Sequence, residues 1–352
     1  GATGMVGQRF ISLLKDHPWF EVNCVAASAR SAGKTYREAV GERWAFAWEI
    51  PEKVAGMTVV DAADIDEVSK HVDFVFCAVD MKKDEIRALE EAYAKHEIPV
   101  VSNNSACRGI EDVPMVVPEI NADHLAVIEA QKKRLGTKSG FIAVKPNCSI
   151  QSYVPALTPL LDFEPEKVSV CTYQAISGAG KTFKTWPEMV DNVIPYIGGE
   201  DEKSENEPLK LWGHVEDGKI VNATLPVISA QCLRVACSDG HMAAVSVSFK
   251  KKPTIEQIKE RWANYETEAQ RLELPSAPKP FLQYFEDPSR PQTRLDRDFQ
   301  NGFGVSIGRL REDKLFDYRF VCLSHNTVRG AAGGGILTAE LLCRKGYIPH
   351  RV

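Results

Sequence analysis

Cys148 stands in the run IAVKPNCSIQS, residues 142–152, where an apolar, strand-like segment passes directly into Asn147-Cys148-Ser149. The residues after it, Ile150, Tyr153, Val154, Leu157, Leu160 and Leu161, are spaced like one face of a helix, which Pro155 and Pro159 bend or delay. A thiol at a helix N-terminus gains thiolate character from the dipole and the free N–H groups, and those N–H groups can hold an oxyanion. The alternative is a small buried hydrophobe, the role expected for most of the other cysteines. A nucleophilic thiol needs a base and orienting groups. Among eight histidines, His241 stands apart in RVACSDGH, between two strand-like runs and after a small, flexible Ser-Asp-Gly. Arg234 lies seven positions earlier within an apolar strand, either as a bidentate clamp for a substrate carboxylate or on a solvated face. Gln174, in TYQAISGAGK, ends a strand before a glycine-rich loop, as a positioning residue would. Together these residue types imply acyl transfer through a thioester, coupled to hydride transfer.

A hydride donor needs a site, and the start of the chain supplies one. Gly1-Ala2-Thr3-Gly4-Met5-Val6-Gly7 is a GxxGxxG turn that opens a helix. Glycines let the backbone approach a pyrophosphate, and the helix N-terminus supplies donors and a favourable dipole. Alone the motif is weak, because tight turns also produce it. An NAD-preferring site places Asp or Glu at the end of the second strand, roughly 20 residues beyond the glycines. Here that strand ends in Ser28-Ala29-Arg30-Ser31 with Lys34 nearby, and no acid is present. Hydroxyls and a guanidinium suit a ribose 2′-phosphate, so NADP is the expected cofactor. Such a turn normally follows a strand, and the sequence is expected to begin inside its first βα unit.

The elements that must hold these groups fall into two textures. Up to about residue 145, strand-like runs at 22–27, 72–79 and 98–102 accompany helix-like segments at 5–15 and 82–96. That alternation indicates a Rossmann-type, doubly wound parallel sheet in an α/β fold. From Cys148 onward, strands at 167–175, 219–227, 233–237 and 242–249 come in close succession. They predict a second, α+β domain with a mixed sheet. Thr254 with Gln257 forms a capping box for a helix through residue 265. The acidic run 200–207 reads as a solvated loop. A final strand at 319–323 and a Gly/Ala-rich helix at 330–344 close the chain and could return to the first domain. The expected domains are 1–147 with 326–352, binding NADP, and 148–325, carrying catalysis and oligomerisation.

Composition narrows the partners. Over 352 residues, 44% hydrophobic and 26% charged content is ordinary for a globular chain. A net charge of −5 gives no reason to expect nucleic acid or an anionic membrane surface. Nine cysteines without paired spacing argue against a secreted disulfide framework, and no CxxC suggests a metal. A reducing, cytoplasmic setting without a bound metal is the expectation.

GATGMVGQRF, ASARSAGK, PNCS, YQAISGAG, RVACSDGH and HNTVRGAAGG together resemble the aspartate-β-semialdehyde dehydrogenase family, its archaeal and fungal branch in particular. The resemblance spans nearly the whole chain. It implies a second domain like the C-terminal domain of glyceraldehyde-3-phosphate dehydrogenase, and a homodimer or homotetramer. It gives Cys148 as nucleophile, His241 as general acid/base, Gln174 to orient the acyl group and Asn147 to support the thiol or oxyanion. It also implies Arg234 on the substrate α-carboxylate, Glu207 on its α-amino group, and Lys210 and Arg108 on phosphate. Thr3, Gly4, Met5, Val6, Ser28, Arg30, Ser31, Ser177, Gly178 and Asn326 would contact NADP. The implied reaction is NADPH-dependent reduction of aspartyl 4-phosphate to the semialdehyde with release of inorganic phosphate. Reductases of the same fold acting on malonyl-CoA or N-acetyl-glutamyl phosphate are the nearest alternatives, and a silent NADP-binding sensor is a more distant one.

Overall fold

The computed structural model describes residues 1–349. Its N-terminal part holds five short parallel strands: β1 (Val25–Ala27), β2 (Val59–Asp61), β3 (Val75–Cys77), β4 (Val100–Ser102) and β5 (Ile142–Val144). β1 pairs with β2, and β4 pairs with both β3 and β5. Between β1 and β3 lies a cavity of about 350 Å³, lined by Val25, Val75, Phe76, Ile11, Tyr93 and Gly1 among others. Helices α1 (Met5–Leu14), α2 (Lys83–Lys95) and α3 (Ile128–Leu135) alternate with the strands along the chain. β4 and β5 are fully buried, as expected for strands covered on both faces.

The second sheet has seven strands in the order β12-β13-β14-β11-β6-β10-β7. They are β6 (Pro165–Gln174), β7 (Val193–Ile194), β10 (Val227–Val235), β11 (His241–Phe249), β12 (Leu282–Phe285), β13 (Val305–Glu312) and β14 (Tyr318–Ser324). A separate hairpin, β8 (His214–Glu216) with β9 (Lys219–Val221), completes the strands. The sheet is mixed: β6 runs parallel to β10 and antiparallel to β11. Strand β6 alternates buried with mostly exposed positions and β11 buried with half-buried ones, so one face packs inward and the other is less covered.

Three expectations are corrected. The acidic run 200–207 is not a loop but the start of helix α4 (Glu200–Leu211), an element along which Ser204, Glu207, Pro208 and Leu211 are buried. Its first turn is acidic, which suits the positive end of the helix dipole. The run 219–227 is not one strand: β9 stops at Val221, and β10 starts only after Pro226, which has no N–H to give a ladder. After Cys148 there is no long helix. A 3₁₀ turn (Ser149–Gln151), one short α-turn (Val154–Leu157) and another 3₁₀ segment (Thr158–Phe163) follow, because Pro155 and Pro159 remove backbone donors.

The capping box forms as expected, with Thr254 accepting from Gln257 N at the start of helix α5 (Ile255–Ala263). At the C-terminus a π-helical turn, Val328–Ala332, leads into helix α6 (Gly333–Arg344). Leu337, Leu341 and Leu342 of α6 cluster with Val101, Phe141 and Ala143, so the last helix returns to the N-terminal strands.

Candidate active site

Cys148 sits just beyond the end of β5, where the fully buried strand delivers it beside the first residue of β11. Its backbone leaves no room at the C-terminal turn: a Cβ on Gly330 would lie 2.9 Å from Cβ of Cys148. Asn147 shapes the turn. Its Oδ1 accepts from Ser149 N and Ser149 Oγ, both at 2.7 Å, and its Nδ2 donates to Glu200 at 3.0 Å.

His241 begins β11, entered through Gly240 at φ 99°, a left-handed position suited to glycine. The fully buried ring brings Nε2 to 3.4 Å from Sγ of Cys148. Its Nδ1 accepts the N–H of Ala175 at 3.1 Å. That bond assigns the tautomer: the ring proton is on Nε2, pointing at sulfur. Burial, followed by the fields of Arg234 and His325, pushes the imidazole pKa well below its usual value, so the ring is neutral at neutral pH.

β6 and β10 bring the next two groups together, since Gln174 and Arg234 are register partners on neighbouring parallel strands. Arg234 Nη1 donates to the Ala175 carbonyl at 2.7 Å. A Cβ on Gly178 would lie 2.8 Å from Arg234 Nη1 and 3.0 Å from His241 Nε2, so the glycine keeps the ground before both groups open. Gln174 Nε2 donates to Glu200 at 3.2 Å. Glu200, also paired with Lys203 at 2.8 Å, is thus a central acceptor that the sequence reading missed by placing it in a solvated loop.

Glu207 pairs with Arg108 at 2.9 Å and accepts from the Asn147 N–H at 2.5 Å. Arg108 also donates to the Asn103 carbonyl at 2.9 Å, while its Nε has no partner among the described residues. Lys210, expected on phosphate, has its ammonium engaged by the backbone. Its ammonium donates to the carbonyls of Arg108, Ile110 and Val113 at 2.7, 2.7 and 2.9 Å, which uses all three N–H bonds. It therefore holds the loop that carries Arg108, and burial brings its pKa down to about 8.

The thiol is not the dipole-activated group that its sequence context suggested. Burial, then the charge of Glu200, raises the Cys148 pKa, while Lys145, Arg234 and Arg108 pull it down. The short 3₁₀ turn after it supplies too little helix to outweigh that burial.

Thr3 and Gly4 form the turn before α1, with Met5 and Val6 in its first turn. A Cβ on Gly7 would meet the Gly1 carbonyl oxygen at 2.3 Å, so helix and turn close tightly around a small concave backbone. Ser28 and Arg30 are exposed beyond the end of β1, and Ser31 N donates to Ser28 O at 2.8 Å. This set of hydroxyls and a free guanidinium, without an acid, fits an NADP 2′-phosphate. Asn326 bridges Gly240 N and Ser177 Oγ, both at 2.8 Å, and so ties the loop after β6 to the turn before the histidine.

Residues 1–128 match the NAD binding domain of the semialdehyde dehydrogenases, and residues 157–329 match the dimerisation domain of the same group. The aspartate-semialdehyde dehydrogenase of Aspergillus fumigatus is 44% identical, covering 99% of this chain and 97% of that protein. The Archaeoglobus fulgidus enzyme of the same name is 43% identical, covering 99% and 98%. Among solved structures, the Candida albicans aspartate semialdehyde dehydrogenase with NADP is 39% identical. It superposes with a TM-score of 0.88 over 99% of this chain and 98% of that one.

Proposed function

The chain belongs to the aspartate-semialdehyde dehydrogenase family, and we propose that Cys148, His241, Gln174, Asn147 and Arg234 are the residues with which it carries out that family's reaction. The enzyme reduces L-aspartyl 4-phosphate to L-aspartate 4-semialdehyde with NADPH, in the biosynthesis of lysine, threonine, methionine and isoleucine. The observation that carries the assignment of roles is the Sγ–Nε2 approach of 3.4 Å beside the Arg234 guanidinium.

The Cys148 thiolate attacks the acyl carbon and phosphate departs, leaving a thioester. Arg234 holds the α-carboxylate in bidentate fashion, and Glu207 receives the α-amino group. Arg108, whose Nε is free, meets the phosphate, with Lys210 fixing its loop. NADPH, when bound, supplies the hydride. Thr3, Gly4, Met5 and Val6 would cradle its pyrophosphate, and Ser28, Arg30 and Ser31 would hold the 2′-phosphate. Ser177, Gly178 and Asn326 would contact it on the side of the histidine. His241 Nε2–H donates to the oxyanion that forms at the acyl oxygen, Gln174 and Asn147 fix the acyl group and the thiol, and collapse of the oxyanion returns the thiolate.

The match to a dimerisation domain marks a homo-oligomer. A homodimer or homotetramer would cover the apolar edge of the second sheet, where Val190, Val193, Tyr196 and Val227 are exposed. Nine free thiols favour a reducing cytoplasm. The domains would divide at 147/148 and 325/326, with the C-terminal segment joining the NADP-binding part. Purified enzyme should reduce NADP when given the semialdehyde and phosphate, and Cys148→Ser should abolish this. Turnover of malonyl-CoA with NADPH, and none of the semialdehyde, would overturn the substrate assignment.

A further inference from the structure

One acid at the head of α4 touches two of the groups used above and has no part in the steps themselves. Glu200 is buried, and three donors converge on its carboxylate. Oε1 accepts from the Lys203 ammonium at 2.8 Å and from Asn147 Nδ2 at 3.0 Å. Oε2 accepts from Gln174 Nε2 at 3.2 Å. The helix that carries Glu200 is itself fastened along β10, because Asp201 accepts from Cys232 N and Glu205 from Ala230 N.

A carboxylate can only accept, and this decides which way the Gln174 amide faces. The other neighbour of that amide, Thr172 Oγ1 at 3.2 Å, is a hydroxyl, which suits either end of it. Glu200 is therefore the group that sets the orientation. With both N–H bonds of Nε2 directed to Thr172 and Glu200, Oε1 is the atom left to meet a ligand. Arg234, the clamp for the α-carboxylate, is the register partner of Gln174 on the neighbouring strand, so the two side chains leave the sheet on one face. A substrate whose α-carboxylate lies on Arg234 carries its α-ammonium on the same carbon, a donor beside that acceptor.

We propose that Glu200 is a positioning residue: it turns the Gln174 carbonyl oxygen toward the substrate, where that oxygen accepts from the α-ammonium and so orients the acyl chain. The inference rests on Gln174 and Arg234 facing the substrate. Glu207 takes another N–H of the same ammonium, which has three to give.

Glu200→Gln reverses the arrangement without changing its shape. Lys203 and Asn147 require an oxygen at the Oε1 position, so the new amide nitrogen faces Gln174. Two N–H groups would then oppose each other, and Gln174 turns over to present N–H to the ammonium. The measurement is phosphate-dependent oxidation by NADP, read as the ratio of kcat/KM for the semialdehyde to that for 4-oxobutanoate, the same molecule without its α-amino group. An effect on the thiol or on Asn147 alters both substrates alike and cancels in the ratio. The ratio should fall about 10- to 100-fold in Glu200→Gln, the worth of one hydrogen bond to a charged group. Exchanging the pair, Glu200→Gln with Gln174→Glu, puts a carboxylate oxygen back before the ammonium and should restore most of the ratio. A folded Glu200→Gln enzyme with the parent ratio would overturn the proposal, as would an exchanged pair no better than the single variant. Gln174→Ala separates this proposal from the reading of the site, and it should lower the ratio as Glu200→Gln does. A loss equal for both substrates would place Gln174 on the acyl group alone and overturn the proposal. No loss with either substrate would overturn the reading of the site as well.

Discussion

Substitution of His241 distinguishes a histidine that donates from one that titrates. The Ala175 N–H occupies Nδ1 at 3.1 Å, and burial pushes the ring pKa well below its ordinary value. His241 is thus a neutral Nε2–H donor across the working pH range. His241→Ala removes a donor aimed at the developing oxyanion, which costs about 10²–10³ in kcat, or about 2.7–4 kcal/mol. It also leaves the buried Ala175 N–H without an acceptor, worth about 1–3 kcal/mol of stability. His241→Gln keeps an N–H of similar reach and should recover about tenfold or more over the alanine variant. The assay is kcat/KM for phosphate-dependent oxidation of the semialdehyde by NADP, between about pH 6 and about pH 9. The parent profile should rise about tenfold per unit below the thiol ionisation, with a further effect of Lys210 near pH 8 and no ionisation from His241. A second ionisation near the ordinary histidine value, lost in His241→Gln, together with a glutamine variant as inactive as alanine, would refute the donor reasoning.

Three further perturbations follow from the geometry. Arg30→Ala should lower kcat/KM for NADP about 10- to 100-fold, the worth of one charge-assisted hydrogen bond, and leave the weaker reaction with NAD unchanged; steady-state kinetics with both cofactors measure it. Lys210→Met leaves three carbonyls of the Arg108 loop unpaired, so stability should fall by about 3 kcal/mol in urea unfolding and KM for phosphate should rise. His325 has its pKa lowered to about 4 by burial, so the folded state binds fewer protons than the unfolded one below about pH 6.5. Its contribution is fully present above that pH and is lost as pH falls toward 4, by roughly 3 kcal/mol in all. His325→Asn should flatten that part of the urea-midpoint profile.

Groups whose roles are written in short motifs were legible in the sequence. The glycine turn, the thiol after a buried strand and the histidine after Ser-Asp-Gly each depend on a few adjacent residues. The structure brings Cys148, His241, Gln174 and Arg234 together because β6, β10 and β11 are neighbours, a pairing that no local signal fixes. Helix α4 was hidden for a related reason. Its acids look solvated in sequence, yet Glu200 answers Asn147 and Gln174, Asp201 accepts from Cys232 N, and Glu205 accepts from Ala230 N. Lys210 illustrates the same limit: the family resemblance implies a phosphate ligand, and only the folded loop reveals three carbonyls already around it. The setting of the thiol was legible in part: a turn after a buried strand can be read from sequence, while the charge of Glu200 beside it and the short 3₁₀ turn that follows cannot.

The central claim is that Cys148 carries the acyl group. Mass spectrometry of enzyme quenched after mixing with the semialdehyde and NADP, without phosphate, tests it most directly. One aspartyl group should appear on the peptide containing Cys148 and disappear when phosphate is added before the quench. An adduct on another residue, or none while NADP is reduced in stoichiometric amount, would contradict the account.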